Sequence, residues 1–114
     1  MNYIDELGNK IFWETHTSES DSFWFDDRLL YRAYALLLLA KGEAVTNEDV
    51  HNAWAVWAAE YDEDHRSLVP FDKLPPQVQA LDEPYTQAIR KIARARQLEQ
   101  VEITIVRGED FDAL

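Results

Sequence analysis

Two histidines and a tryptophan define the chemistry open to this chain: His51 and Trp54 stand at i and i+3, and His65 opens the run His65, Arg66, Ser67, Leu68, Val69, Pro70, Phe71. On a helix, residues three and four apart are surface neighbours, so His51, Trp54 and Ala55 form one ridge. An indole presents a flat apolar face on which a base or guanidinium can stack, for roughly 1 to 3 kcal/mol per base in nucleic-acid systems. The adjacent imidazole can donate or accept a hydrogen bond. Core packing is the plain alternative for both tryptophans of this segment, and by spacing Trp57 belongs to the core stripe. Asp62, Glu63, Asp64 and His65 could in principle offer oxygen and nitrogen to a divalent cation. Their spacing matches no ordered coordination loop, so they read as a solvated acidic loop and no metal site is expected. His16 falls in a polar connection and needs no role.

The residues that usually carry catalysis are missing. The chain has no Gly-rich phosphate loop, no His-Glu-x-x-His, no Gly-x-Ser-x-Gly and no cysteine. A histidine base without an identifiable nucleophile or oxyanion donor gives no reaction, so the expectation is a protein that is not an enzyme and uses no cofactor. With a net charge of −11, the chain is a poor partner for duplex nucleic acid, which attracts proteins through lysine and arginine. One basic cluster, Arg90, Lys91, Arg94 and Arg96, interrupts the acidic background and fits the later turns of a helix. No apolar run approaches the roughly 20 residues of a membrane span, and the amino terminus lacks a basic and apolar leader, so the expected location is the cytoplasm.

The elements that must position these groups are mostly helical. Ile4, Leu7, Ile11 and Phe12 recur at helical spacing despite Gly8. A polar connection over 15–22 leads to a second helix from about Phe25 to Lys41, with Asp26 and Asp27 in its first turn and Gly42 as its left-handed terminator. Because Leu36 to Ala40 is apolar all round, this helix should be contacted on more than one side. Thr46 and Asp49 make an acidic variant of the capping box and open a third helix to about Tyr61, with Val50, Trp54, Trp57, Ala58 and Tyr61 on one face. Residues 61–70 form a loop, and Pro75 and Pro76 suit a helix start. Leu81, Tyr85, Ile89, Ile92 and Ala93 space a last helix to Leu98, which Pro84 either begins or kinks. The alternation of Val101, Ile103 and Ile105 with polar residues predicts a strand over 101–107. A lone strand leaves its edge unpaired, which suggests a homodimer through 101–107. The expected fold is a compact bundle of four to five helices over 1–100, followed by a short C-terminal β-strand and acidic tail over 101–114.

Val50 to Trp54, then His65, Leu68, Val69, Pro70, Phe71 and Leu74, then Asp82, together resemble the ryanodine-receptor repeat, or RyR domain. That module carries a His-x-x-Trp helix, a loop of the form His-Pro-x-Leu-Val-Pro-Tyr-x-x-Leu and a downstream Asp before its last helix. The likeness covers about residues 46–92. Arg66 stands where the repeat has proline, and the repeat's Gly-Trp and Tyr-Gly elements are replaced here by Ala59 to Asp64. The chain is also similar to small uncharacterised proteins of actinobacteria and their phages, which share the residues from Asp27 to Tyr34 and Lys41–Gly42; a phage protein would sit in the bacterial host's cytoplasm. The resemblance implies a small-ligand module that binds or sequesters a nucleotide-derived signal in conflict between phage and host. His51, Trp54, His65, Asp82 and Tyr85 occupy its motif positions. Trp54 would stack the base, His51 or His65 would hydrogen-bond it, and Arg28, Arg66 or Arg90 would meet phosphate, since guanidinium forks suit phosphate oxygens. The competing expectation is a non-catalytic interaction module that engages a host protein, with Trp54 simply part of the core.

Overall fold

The computed structural model describes residues 2–16 and 27–106, with side chains through Glu99. Among the described residues five α-helices follow one another: α1 (Tyr3–Thr15), α2 (Arg28–Lys41), α3 (Asn47–Tyr61), the single turn α4 (Pro76–Gln79) and the long α5 (Glu83–Val106). Each start has a local cause. Asn2 caps α1 by accepting the Asp5 N–H at 2.8 Å, which satisfies one of the free donors of the first turn. Thr46 and Asp49 close the expected capping box on α3 in both directions, at 3.2 and 3.0 Å. Pro76 takes the first position of α4, where a missing N–H costs nothing. A 3₁₀ turn over Ala80–Asp82 joins α4 to α5, so Pro84 lies in the first turn of α5 rather than at a kink in its middle.

α2 is the centre of the packing and touches α1, α3 and α5. Its inner stripe of Leu30, Tyr31, Tyr34, Ala35 and Leu38 meets Leu7, Ile11 and Phe12 from α1, Val50 from α3, and Ala88, Ile89, Ile92 and Ala93 from α5. Gly8 is required where α1 crosses α2, because a Cβ there would sit 3.1 Å from the Tyr31 carbonyl oxygen, an atom of helical backbone with little freedom to retreat. An ion pair fastens the same crossing. Arg32 reaches the Asp5 carboxylate with two bonds of 2.7 and 3.0 Å, and this guanidinium holds Asp5 below the usual carboxylate range. Gly42 ends α2 at a φ of 55°, as its position predicts, and turns the chain into the fully buried Val45.

Several expectations change. Asp27 caps the start of α2 with its backbone alone, and Phe25 and Asp26 lie outside the described residues, as does most of the polar connection. Leu36 is 62% exposed and Leu39 and Ala40 are exposed too, so the outer side of α2 faces solvent. On α3, Val50 and Ala58 are buried, Trp54 and Trp57 are partly covered and Tyr61 is exposed. Leu81 is exposed as well. His16, expected to be idle, caps the end of α1 and stacks on Phe12 with ring centroids 4.0 Å apart.

The expected C-terminal strand is replaced by helix over 101–106, which continues α5; 107–114 lie outside the described residues. Strand preference in β-branched residues comes from packing on a pleated neighbour, and no strand exists among the described residues to supply one. Extending an existing helix, by contrast, adds a hydrogen bond per residue without new nucleation. The backbone groups of 101–106 are thus used within α5, and the strand-edge argument for a homodimer does not apply to them. No helix among the described residues is long and apolar enough to cross a membrane.

The packing gives a paired test. Leu38, 4% exposed, sits where α2 meets its neighbours, and Leu38→Ala should lower stability by about 2 to 5 kcal/mol in chemical denaturation. Leu36→Ala on the outer side should change it by less than about 0.5 kcal/mol.

Candidate functional site

His51 emerges from the buried side of α3 and is itself only 3% exposed. A buried imidazole needs a partner, and His51 Nε2 finds the Val69 carbonyl at 2.7 Å. A carbonyl only accepts, so the proton is on Nε2 and the neutral ring keeps Nδ1 as an acceptor. This bond draws the 62–75 loop onto α3. From the other end, the Gln79 amide donates to the carbonyls of Phe71 and Leu74, at 3.0 and 3.1 Å, and Leu74 is buried beneath.

A loop held at both ends leaves a hollow between itself, α2, α3 and the start of α5. This cleft, about 360 Å³, is lined by His51, Trp54, His65, Asp82 and Tyr85, together with Tyr34, Ser67 and the aliphatic Leu30, Leu74, Val78 and Leu81. The Trp54 ring stacks near-parallel to His51 at 5.6 Å and meets His65 edge-on at 5.2 Å. Trp54 therefore does both things expected of it: part of it packs on the core and part lines the cleft. His65 Nδ1 accepts the Ser67 N–H at 3.0 Å, which makes Nε2 the protonated nitrogen of the neutral ring and a donor.

The Tyr85 hydroxyl is engaged with that of Tyr31, whereas two other polar groups of the cleft are unspent. Burial pushes the Asp82 carboxyl up to about 6, against a smaller opposing pull from His51, and no hydrogen bond from a described residue reaches it. Tyr34, 2% exposed, has a hydroxyl without a hydrogen-bond partner among the described residues. Burial, with Tyr85, Tyr31 and Asp82 nearby, holds that hydroxyl above the usual phenol range, so it stays a neutral donor.

Of Arg28, Arg66 and Arg90, at least one of which is expected beside the aromatic residues, none lines the cleft itself and one adjoins it. Arg28 is exposed at the start of α2, where its charge acts on Asp5. Arg90 turns toward the α2–α3 connection and donates to the Val45 carbonyl at 2.8 Å; it lines a separate basic hollow with Lys91 and Arg94. Arg66 is exposed and lies next door, in a groove of about 610 Å³ that it lines with Lys73 and that shares His65, Ser67, Leu74, Val78 and Leu81 with the cleft. Among the described residues no cluster of His, Asp and Glu could hold a metal ion, the 62–65 loop included. Tyr34, Ser67 and Lys73 were not singled out by sequence. Tyr34 carried a usable signal, since a tyrosine on a buried helical stripe must send its polar tip somewhere.

Residues 2–94 match a family model described as a domain of unknown function (DUF7701), a span that includes every residue lining the cleft. No curated protein and no solved structure matches the chain.

The unpaired carboxyl has a measurable consequence for stability. Because its folded-state pKa is raised, from 3.8 to about 6, the folded protein holds a proton there that the unfolded chain has lost. That contribution is fully present below about pH 4 and is lost as pH rises through about 6. Asp82→Asn should therefore raise the melting temperature at about pH 8, with the gain shrinking toward zero by about pH 4. A variant less stable than the wild type at the higher pH would mean that the carboxylate is compensated by contacts in the fold.

Proposed function

We propose that this chain, which belongs to the DUF7701 family, is a non-catalytic small-ligand module whose cleft takes the planar base of a nucleotide-derived molecule. The observation that carries this reading is the joint lining of one hollow by a tryptophan face, two histidines, a carboxyl and a tyrosine hydroxyl, with the hydroxyl and the carboxyl unpaired among the described residues. Polar groups that line a hollow without a partner from the fold are available to fix the orientation of a ligand. Trp54 stacks the ring, His65 and Tyr34 donate to it, and Asp82 accepts from it. Arg66 and Lys73 in the adjoining groove receive the anionic part. The volume suits a single base with its phosphate directed outward.

Binding without turnover is supported by how the histidines are engaged. His51 uses Nε2 on a backbone carbonyl and His65 uses Nδ1 on a backbone N–H, and among the described residues neither is hydrogen-bonded to a side chain that could serve as nucleophile. Sequestration of a signalling nucleotide, as the RyR likeness implies, is the biological role this chemistry would serve. A second reading, a module that docks on a host protein, draws on the exposed Leu29, Leu36 and Leu39 of α2.

Calorimetry with nucleosides and their monophosphates tests the assignment. Trp54→Ala should weaken binding of any accepted base by about tenfold to a hundredfold, the equivalent of one lost stacking contact. Arg66→Ala should weaken the monophosphate while leaving the nucleoside unchanged. If the wild type binds no nucleoside or nucleotide, the ligand reading falls and the docking reading takes its place.

A further inference from the structure

Stacking alone accepts any base, so the choice among bases falls to the polar groups on the wall of the cleft. Most of these groups have defined senses. Tyr34 keeps its hydroxyl proton and can donate or accept, whereas His65 offers Nε2–H because its Nδ1 is occupied by the Ser67 N–H. His51 offers Nδ1 as an acceptor because its Nε2–H is given to Val69. The Asp82 carboxyl is half-buried and takes no hydrogen bond from any described residue. With its pKa at about 6 it is mostly ionised at neutral pH, and an ionised carboxylate can only accept. Its two oxygens call for two adjacent N–H donors in one plane, the geometry of the strongest charge-assisted pairs.

The common bases differ sharply on this point. Guanine presents a ring N–H and an amino group side by side, with O6 and N7 as acceptors on the rest of its edge. The pairing edge of adenine sets one amino donor beside a ring nitrogen that accepts, and that nitrogen would face a carboxylate oxygen across the contact. Cytosine likewise carries a single donor beside acceptors. Uracil has one ring N–H flanked by two carbonyls. A guanidinium would also give the carboxylate two parallel donors and would stack on Trp54, but it has no acceptor to receive the His65 N–H.

We infer that the cleft is selective for a guanine-type base, held by its paired N–H donors on the Asp82 carboxylate and by its acceptors on Tyr34 and His65. This assignment rests on the base-binding reading above, and Asp82 becomes its specificity-determining residue.

The test compares guanosine, inosine and adenosine monophosphates and argininamide by calorimetry with the full chain at about pH 7.5, above the Asp82 pKa of about 6. Inosine lacks only the amino group of guanosine, so it removes one of the two donors. Guanosine monophosphate should bind at least about tenfold more tightly than inosine monophosphate, and adenosine monophosphate more weakly still. Asp82→Asn should bring the guanosine and inosine affinities to within about twofold of each other, and Tyr34→Phe should weaken guanosine while leaving its donors' contribution intact. Melting curves establish that each variant is folded. Equal affinity for guanosine and inosine in the wild type, or tighter binding of adenosine or argininamide, overturns the selectivity. In that case Trp54-dependent binding of another base leaves the broader ligand reading standing. Absence of binding by every nucleotide removes both.

Discussion

The bond from His51 Nε2 to the Val69 carbonyl is the contact on which the rest of the site depends. It joins the most buried polar side chain of α3 to a loop with little regular structure, and it gives that loop a fixed distance from the bundle. Gln79 does the same from α4, and Leu74 fills the space beneath. Loop backbone that lies against a core must find hydrogen-bond partners or remain in water, and here side chains of two helices supply them. The hollow is what remains when the loop is held at two points and bridged between them. Its aromatic wall follows from the same bond, because the ring that grips Val69 is also the ring against which Trp54 stacks.

Much of this was legible in the sequence, and the reason differs by element. The capping box at Thr46 and Asp49, the glycine stop at Gly42 and the proline start at Pro76 are local devices whose chemistry acts within a few residues, so they can be read without knowing the fold. The i, i+3 rule likewise sets His51 beside Trp54 from spacing alone. That His65, Asp82 and Tyr85 line the same cleft depends on how the loop returns, and only the resemblance to a known motif pointed to it. Arg90 was misread because charge does not report direction: its guanidinium found the nearest unsatisfied carbonyl, that of Val45, rather than an open cleft. The residues from 101 to 106 were misread for a different reason. Alternation is evidence for a strand only when a sheet exists to receive it, and the preceding helix was already formed.

Charge is distributed with the same economy. Asp5 and Asp49 lie close to basic partners, Arg32 and Lys41, and both are held below the usual carboxylate range; for Asp49, burial works the other way and is outweighed by the bonds from Lys41 and Thr46. These two pairs tie α1 to α2 and α2 to α3. The Asp82 carboxyl is lifted by burial against only a smaller opposing pull from His51, and it stands in the cleft. In a chain of net charge −11, an acid that burial raises rather than a cation lowers makes that position a cost to stability.

The tautomer of His51 has a further consequence. Its loop-holding proton is on Nε2 in the neutral ring, and Nδ1 is left as an acceptor on the side away from Val69. A group that bonds to Nδ1 therefore competes with nothing that holds the loop. Holding the wall and receiving a guest belong to different nitrogens of one ring, so the hollow can be filled and emptied while its walls stay where they are.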